Sequence, residues 1–196
     1  MKKTLYFMRH GQTMFNEKDI VQGACDSPLT ELGRRQPLYA KRWFSNHGVT
    51  FDHVYASTQE RASDTLEIIT DLPYGRLKGI KEMHFGSFEG GPNAAMRSIG
   101  FSEDRDALVP YGGESWNAVQ DRAVSTLTEI MDKDDHETVL AVSHGCTMFA
   151  FTHKWLPDVT WETVKLSNCC ILKFEYENGV FTFIEAIEHD FYQPLN

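Results

Sequence analysis

Two apolar runs in this 196-residue chain end in nearly the same way, as Phe7-Met8-Arg9-His10-Gly11 and as Ala141-Val142-Ser143-His144-Gly145. A side chain just past the carboxyl end of a buried strand faces the crevice where α/β proteins bind ligands, and a following glycine lets the chain turn without covering it. Two imidazoles can therefore face one cleft. Arg61 follows a third run, Val54-Tyr55-Ala56-Ser57, and is expected about one turn into the next helix, where free N–H groups favour anions. Arg9, Arg61, His10 and His144 then suit a phosphoryl group held by charge-assisted, often bidentate, hydrogen bonds. His10 is the candidate nucleophile, kept neutral by neighbouring arginine charge. The two arginines, Asn16 and His144 can neutralise the transferring oxygens with no metal or other cofactor. A leaving alkoxide needs a proton, and Glu82, in Lys81-Glu82-Met83-His84-Phe85-Gly86, is the candidate donor, its pKa raised by a bound phosphate.

These groups need a sheet to hold them. Lys3 to Met8, Val54 to Ala56 and Thr138 to Val142 are apolar without alternation, as strands buried on both faces are, and each precedes a helical pattern. Ser57-Thr58-Gln59-Glu60 has capping-box spacing ahead of Ala62, Thr65, Leu66, Ile69 and Leu72. Trp116, Val119, Ala123, Leu127 and Ile130 form a second stripe, opened by Glu114 and Ser115. Thr30 caps a third helix running toward Asn46, which Pro37 is expected to kink or shorten. Ile171 to Tyr176 and Val180 to Ile184 flank Asn178-Gly179, a two-residue hairpin signal. The expected fold is an α/β sandwich with a mostly parallel central sheet and a closing antiparallel hairpin. At this length one domain, 1–196, is expected, with a loop-rich insertion at about 86–113 marked by Gly86, Gly90, Gly91, Pro92, Gly100, Gly112 and Gly113.

With 19 Lys+Arg against 28 Asp+Glu, the net charge of −9 supplies no field for nucleic acid or acidic lipid. An anionic substrate must be drawn in by local arginines. Cys25, Cys146, Cys169 and Cys170 lack C-x-x-C spacing, which points away from zinc and from a secreted disulfide framework. The apolar stretch Leu5 to Met8 is too short for a signal peptide or a membrane span, so a cytoplasmic protein is expected.

The ordered blocks resemble the histidine phosphatase superfamily, also called the phosphoglycerate mutase-like family. Arg9-His10-Gly11-Gln12-Thr13 with Asn16 looks like its R-H-G-x-T-x-x-N signature, and Gln22-Gly23 with Asp26-Ser27-Pro28-Leu29-Thr30 and Gly33 like its next segment. Ser57, Arg61, Ala62 and Thr65 match S-x-x-x-R-A-x-x-T, and Glu82, Phe85, Gly86, Glu89 and Gly90 match E-x-x-F-G-x-x-E-G. Ser143-His144-Gly145 matches the second histidine block. The resemblance implies His10 as phosphorylated nucleophile and Glu82 as acid then base. It implies Arg9, Asn16, Arg61 and His144 as phosphate pocket, with Thr13, Gln22, Gly23 and Gly145 on the substrate side.

Mutases of this family usually carry a longer basic insertion, a Tyr three positions after the acidic Glu, and an Asn after the second His-Gly. Here Phe85 and Cys146 stand at those positions, and residues 86–113 hold only Arg97 and Arg105 as bases. These departures favour a phosphomonoesterase acting on a small phosphorylated metabolite. Other readings are a cofactor-dependent phosphoglycerate mutase, a non-catalytic phospho-ligand module and a protein phosphatase. Either a monomer or a homodimer is compatible with the sequence. Arg97 and Arg105 are open candidates for a second anionic group on the substrate. Trp116, Trp155 and Trp161 are expected in the core, and Arg34, Arg35 and Arg42 on a solvated helix face. His47, His53, His84, His136, His153 and His189 are expected to be scattered, without a metal site.

Overall fold

The computed structural model describes residues 2–101, 104–192 and 194. Met1 and, within the expected insertion, Ser102 and Glu103 lie outside them. Six strands form one sheet in the order β3-β2-β4-β1-β5-β6. They are β1 (Lys3–Arg9), β2 (His53–Ser57), β3 (Tyr74–Leu77), β4 (Thr138–Ser143), β5 (Ile171–Glu177) and β6 (Val180–Ile187). β1, β2, β3 and β4 run parallel, and the β5–β6 hairpin adds antiparallel to β1. Its turn residues, Asn178 and Gly179, both have positive φ (52° and 82°), as a hairpin whose twist matches its strands requires.

Six α-helices, α1 (Met14–Glu17), α2 (Glu31–Asn46), α3 (Glu60–Ile69), α4 (Asn93–Ser98), α5 (Trp116–Met131) and α6 (Gly145–Trp155), and three short 3-10 turns, Lys78–Ile80, Gly86–Phe88 and Val109–Tyr111, complete the described elements. Alternate residues of each central strand feed opposite faces of the sheet. Leu5, Phe7, Val139 and Ala141 pack with α5 and α6, whereas Tyr6, Met8, Leu140 and Val142 pack with α2 and α3. This two-sided burial explains the uninterrupted apolar runs. The α5 stripe is buried as its period predicts, and Ser115 caps it by accepting from the Ala118 N–H.

Four local expectations need correction. Gln59, not Ser57, is the N-cap of α3, because Ser57 still belongs to β2 and its Oγ is engaged by His144. Leu72 lies beyond the end of α3 and is exposed. The strand β3 went unforeseen, since Tyr74-Gly75-Arg76-Leu77 is a short edge segment with no periodic signal. Pro37 neither stops nor shortens α2, which runs its full 16 residues from the Thr30 cap. Pro37 cannot donate to the Gly33 carbonyl, and that carbonyl packs instead against Gly11, where an added Cβ would come within 2.3 Å of it.

The chain after β6 returns along α2, where Tyr39 donates to the Phe191 carbonyl. His189 lies in this segment with its pKa lowered to about 4, by burial first and then by the Arg42 charge. The unfolded chain therefore binds a proton more readily than the fold between about pH 6.5 and 4, and stability falls as pH falls through that window. Urea titrations at pH 7 and pH 4 should show His189→Gln losing roughly 3 kcal/mol less over that drop than the intact protein. Equal losses would show that His189 does not carry this linkage.

Candidate active site

Parallel register brings the strand ends together. Arg9 at the end of β1 pairs with Ser143 at the end of β4, and the His10 N–H donates to the Ser143 carbonyl at 3.0 Å. The His10 and His144 rings lie 5.2 Å apart. Only His10 lines the adjoining pocket of about 300 Å³; His144 is fully buried behind it.

His10 Nδ1 lies 2.7 Å from the Gly11 carbonyl, which can only accept, so Nδ1 carries the hydrogen and Nε2 keeps its lone pair. Burial, more than the charges of Arg61 and Arg9, holds its pKa well below the ordinary value. Sequence reasoning had credited the arginines alone. His144 has the complementary tautomer: its Nδ1 accepts from Arg61 Nε at 3.1 Å, so Nε2 donates to Ser57 Oγ at 2.6 Å. Burial, then Arg61 and His10, likewise push its pKa well down.

Arg61 is the second residue of α3, nearer the helix start than expected, and its side chain has no exposed surface. It donates to His144, to the Cys25 and Gly23 carbonyls and to Asp26 at 2.9 Å. Gln22, turned so that its amide is satisfied, accepts from Arg61 and donates to Thr13 and Ser27. Arg9 reaches the pocket, with Nη1 donating to the Leu166 carbonyl and Nε buried without a protein partner among the described residues. The Asn16 carbonyl oxygen accepts from Thr13 N–H and Asn168, which leaves its NH₂ as the end open to a ligand.

Glu82 lines the same pocket although it is nearly buried. Its carboxylate accepts from the backbone N–H groups of Met83, Cys146 and Thr147 and from Thr147 Oγ1. Cys146 and Thr147 belong to the first turn of α6, where the helix dipole favours negative charge. Gln22 and Gly145 also line the pocket; Thr13 and Gly23 do not. Thr13 is the buried cap of α1, and the Gly23 backbone is taken up by Glu89, Gln59 and Arg61.

Sequence reasoning missed several supports. Arg122 donates to the Gly79, Lys81 and Glu82 carbonyls and pairs with Glu114, holding the Glu82 segment in place. Asn168 donates to the His10 carbonyl and to Asn16. Burial raises the Glu89 pKa, but N–H bonds from Phe85, Cys25, Ala24 and Gly23 outweigh it and leave the carboxyl below its ordinary value. That clamp joins the glycine-rich segment to residues 23–25. Only Glu89 carried a sequence signal, through its block match.

Phe85, Asn93, Met96, Trp161, Ile20 and Leu166 form the rest of the pocket wall, with Cys146 beside them. Trp161 therefore corrects its core assignment: it is 45% exposed and stacks on Phe149 at 3.8 Å. Trp116 is buried as expected. Neither open arginine lines the pocket. Arg97 pairs with Asp19 at 2.6 Å, and the Arg105 guanidinium lies 4.7 Å from the Trp116 ring centroid.

Two of the supposedly scattered histidines do meet. His53 and His136 stack at 3.7 Å with planes 10° apart, and both reach Asp135. The three could offer atoms to a metal ion. Parallel rings hold their in-plane lone pairs in separate planes, however, which suits a carboxylate accepting from two N–H groups better than one shared ion. The cluster sits at the amino ends of β2 and β4, away from His10. No helix among the described residues is long and apolar enough to cross a membrane.

A strand-end histidine, an arginine beside it and a carboxylate held at a helix start line one pocket at the strand ends of this α/β fold. The chain belongs to the histidine phosphatase superfamily (branch 1), whose family model matches residues 5–188. It is 32% identical over 184 residues to phosphoglycerate mutase-like protein 4 of Arabidopsis thaliana, covering 88% of this chain and 79% of the relative. Bacillus stearothermophilus YhfR superposes with a TM-score of 0.81 at 28% identity, covering 92% of this chain and 95% of that one. Phosphoserine phosphatase from Entamoeba histolytica, solved with 3-phosphoglyceric acid, shares the fold with a TM-score of 0.80 at 23% identity, covering 97% and 100%.

Proposed function

We propose that the chain is a single-domain, metal-independent phosphomonoester hydrolase of small phosphorylated metabolites, with the 86–113 segment as an insertion beside its site. The observation that carries this reading is the Nδ1–H bond of His10 to the Gly11 carbonyl, which leaves an Nε2 lone pair in the pocket that Glu82 also lines. In the first step Nε2 attacks phosphorus, the P–O bond to the alcohol breaks, and protonated Glu82 gives its proton to the leaving oxygen. In the second, Glu82 takes a proton from water, the water oxygen attacks phosphorus, and the N–P bond breaks to return neutral His10 and free phosphate. Arg9 Nε and the Asn16 NH₂ are the donors left for the phosphoryl oxygens, with Arg61 and His144 behind them.

Hydrolysis is favoured over mutase action because Arg105 and Arg97 are engaged elsewhere and hold no second anionic group of a sugar acid at the pocket. The test is phosphate release with chelator present, together with Glu82→Gln. In rapid-quench measurements of the first turnover, before water attacks, the variant should release the alcohol of alkyl phosphates about 10²–10⁴-fold more slowly, with a much smaller loss for p-nitrophenyl phosphate, whose leaving group needs no proton. Equal losses on both would remove Glu82 as the acid. Interconversion of 2- and 3-phosphoglycerate without net phosphate release would establish the mutase instead.

A further inference from the structure

Beyond the groups assigned to the phosphoryl, the pocket wall is Ile20, Phe85, Met96, Trp161 and Leu166, with neutral Asn93 and Cys146. Arg9 is the one cationic side chain among the described residues that line it. Its guanidinium is already divided between the Leu166 carbonyl and the donor left for phosphate. Asn93 donates its side-chain amide to Asp19 and Arg97 its guanidinium to the same carboxylate, so these polar groups of the 86–113 segment are engaged by Asp19. A carboxylate on the leaving alcohol would find no lining cation beyond Arg9, and would meet mainly apolar surface, neutral Asn93 and Cys146 and the Glu82 carboxylate, and an unpaired charge losing its water is strongly disfavoured. An aromatic or aliphatic alcohol meets matched surface. Trp161 lines the pocket, is held on one face by Phe149 at 3.8 Å with planes 12° apart, and is 45% exposed overall. A ring fixed in this way can stack without first losing rotational freedom.

We infer that the preferred substrates are phosphate monoesters of uncharged apolar or aromatic alcohols, singled out by Trp161 and its apolar neighbours, and not phosphorylated acids. This rests on the hydrolase reading for its consequence in turnover, but the selectivity can be read without it. Calorimetry on the intact protein with two non-hydrolysable probes, (1-naphthyl)methylphosphonate and 2-carboxyethylphosphonate, should show the naphthyl compound bound at least about tenfold tighter. Trp161→Ala should narrow that ratio several-fold, and Trp161→Phe should restore most of it. Trp161→Arg should shift the ratio toward the carboxylate probe. Equal affinity for the two probes, or a ratio untouched by Trp161→Ala, overturns the inference. Absence of phosphate release from 1-naphthyl phosphate alongside the expected binding order would instead sink the hydrolase reading and leave the selectivity standing.

Discussion

His10→Ala should lower phosphomonoester turnover about 10⁴-fold or more, the scale on which removing a nucleophile acts when the rest of a site stays intact. The ring is only 3% exposed, its tautomer is set by the Gly11 carbonyl, and its pKa is held well below the ordinary range by burial and by Arg61 and Arg9. Neutral Nε2 is therefore the form present throughout the mildly acidic to neutral range, and no other imidazole lines the pocket among the described residues. The intact enzyme, quenched in alkali during turnover, should yield an acid-labile phosphohistidine that His10→Ala lacks. Far-ultraviolet circular dichroism of the variant should match the intact protein, since the backbone bonds of His10 to Ser143 and Cys169 do not use its ring. Residual turnover within tenfold of the intact enzyme, or label surviving on the variant, would place the nucleophile elsewhere.

Arg61→Met should destabilise the fold by about 3 kcal/mol as well as disabling the site. The side chain has no exposed surface, and its removal takes the donor from the Cys25 carbonyl and His144 Nδ1, one donor from the Gly23 carbonyl, and the partner charge from the Asp26 carboxylate. Breaking a buried ion pair from one side costs about 3–5 kcal/mol. The Asp26 side chain keeps 30% of its surface in water, which places the loss at the lower end. Losing the Arg61 donor also frees the His144 tautomer, so kcat should fall even where the protein remains folded. Arg61→Lys should rescue little, because an ammonium cannot reproduce the planar fork that serves His144 and Asp26 together. Urea unfolding of both variants and of Arg61→Met/Asp26→Asn measures the loss; a midpoint for Arg61→Met equal to that of the intact protein contradicts it.

Some of this was legible in the chain and some was not, for a reason that particular residues make plain. The apolar runs of β1 and β4, the caps at Thr30 and Ser115 and the Asn178-Gly179 turn are local signals, since strand burial, capping and turn chemistry act within a few residues. The histidines and arginines were legible as well, because strand ends and helix starts place them by short-range geometry. Ser57 was misread as a cap because its Oγ has a partner 87 residues away in His144. Pro37 looked like a breaker because the packing of Gly33 against Gly11 was out of view. Glu82 shows the same limit, since its carboxylate is held by N–H groups of α6 some 65 residues later. Spacing pointed to the residue and could say nothing of the helix start that receives it. The sequence by itself determined the kind of sheet and, through its ordered blocks, the family, and it pointed to the residues proposed for the chemistry. Only the tertiary structure decided that His10 alone faces the pocket while His144 and Arg61 stand behind it, that Arg97 and Arg105 are engaged elsewhere, and that Trp161 is a wall. Those outcomes depend on which distant side chains reach each buried donor, acceptor and charge first, and that competition is settled by packing in three dimensions.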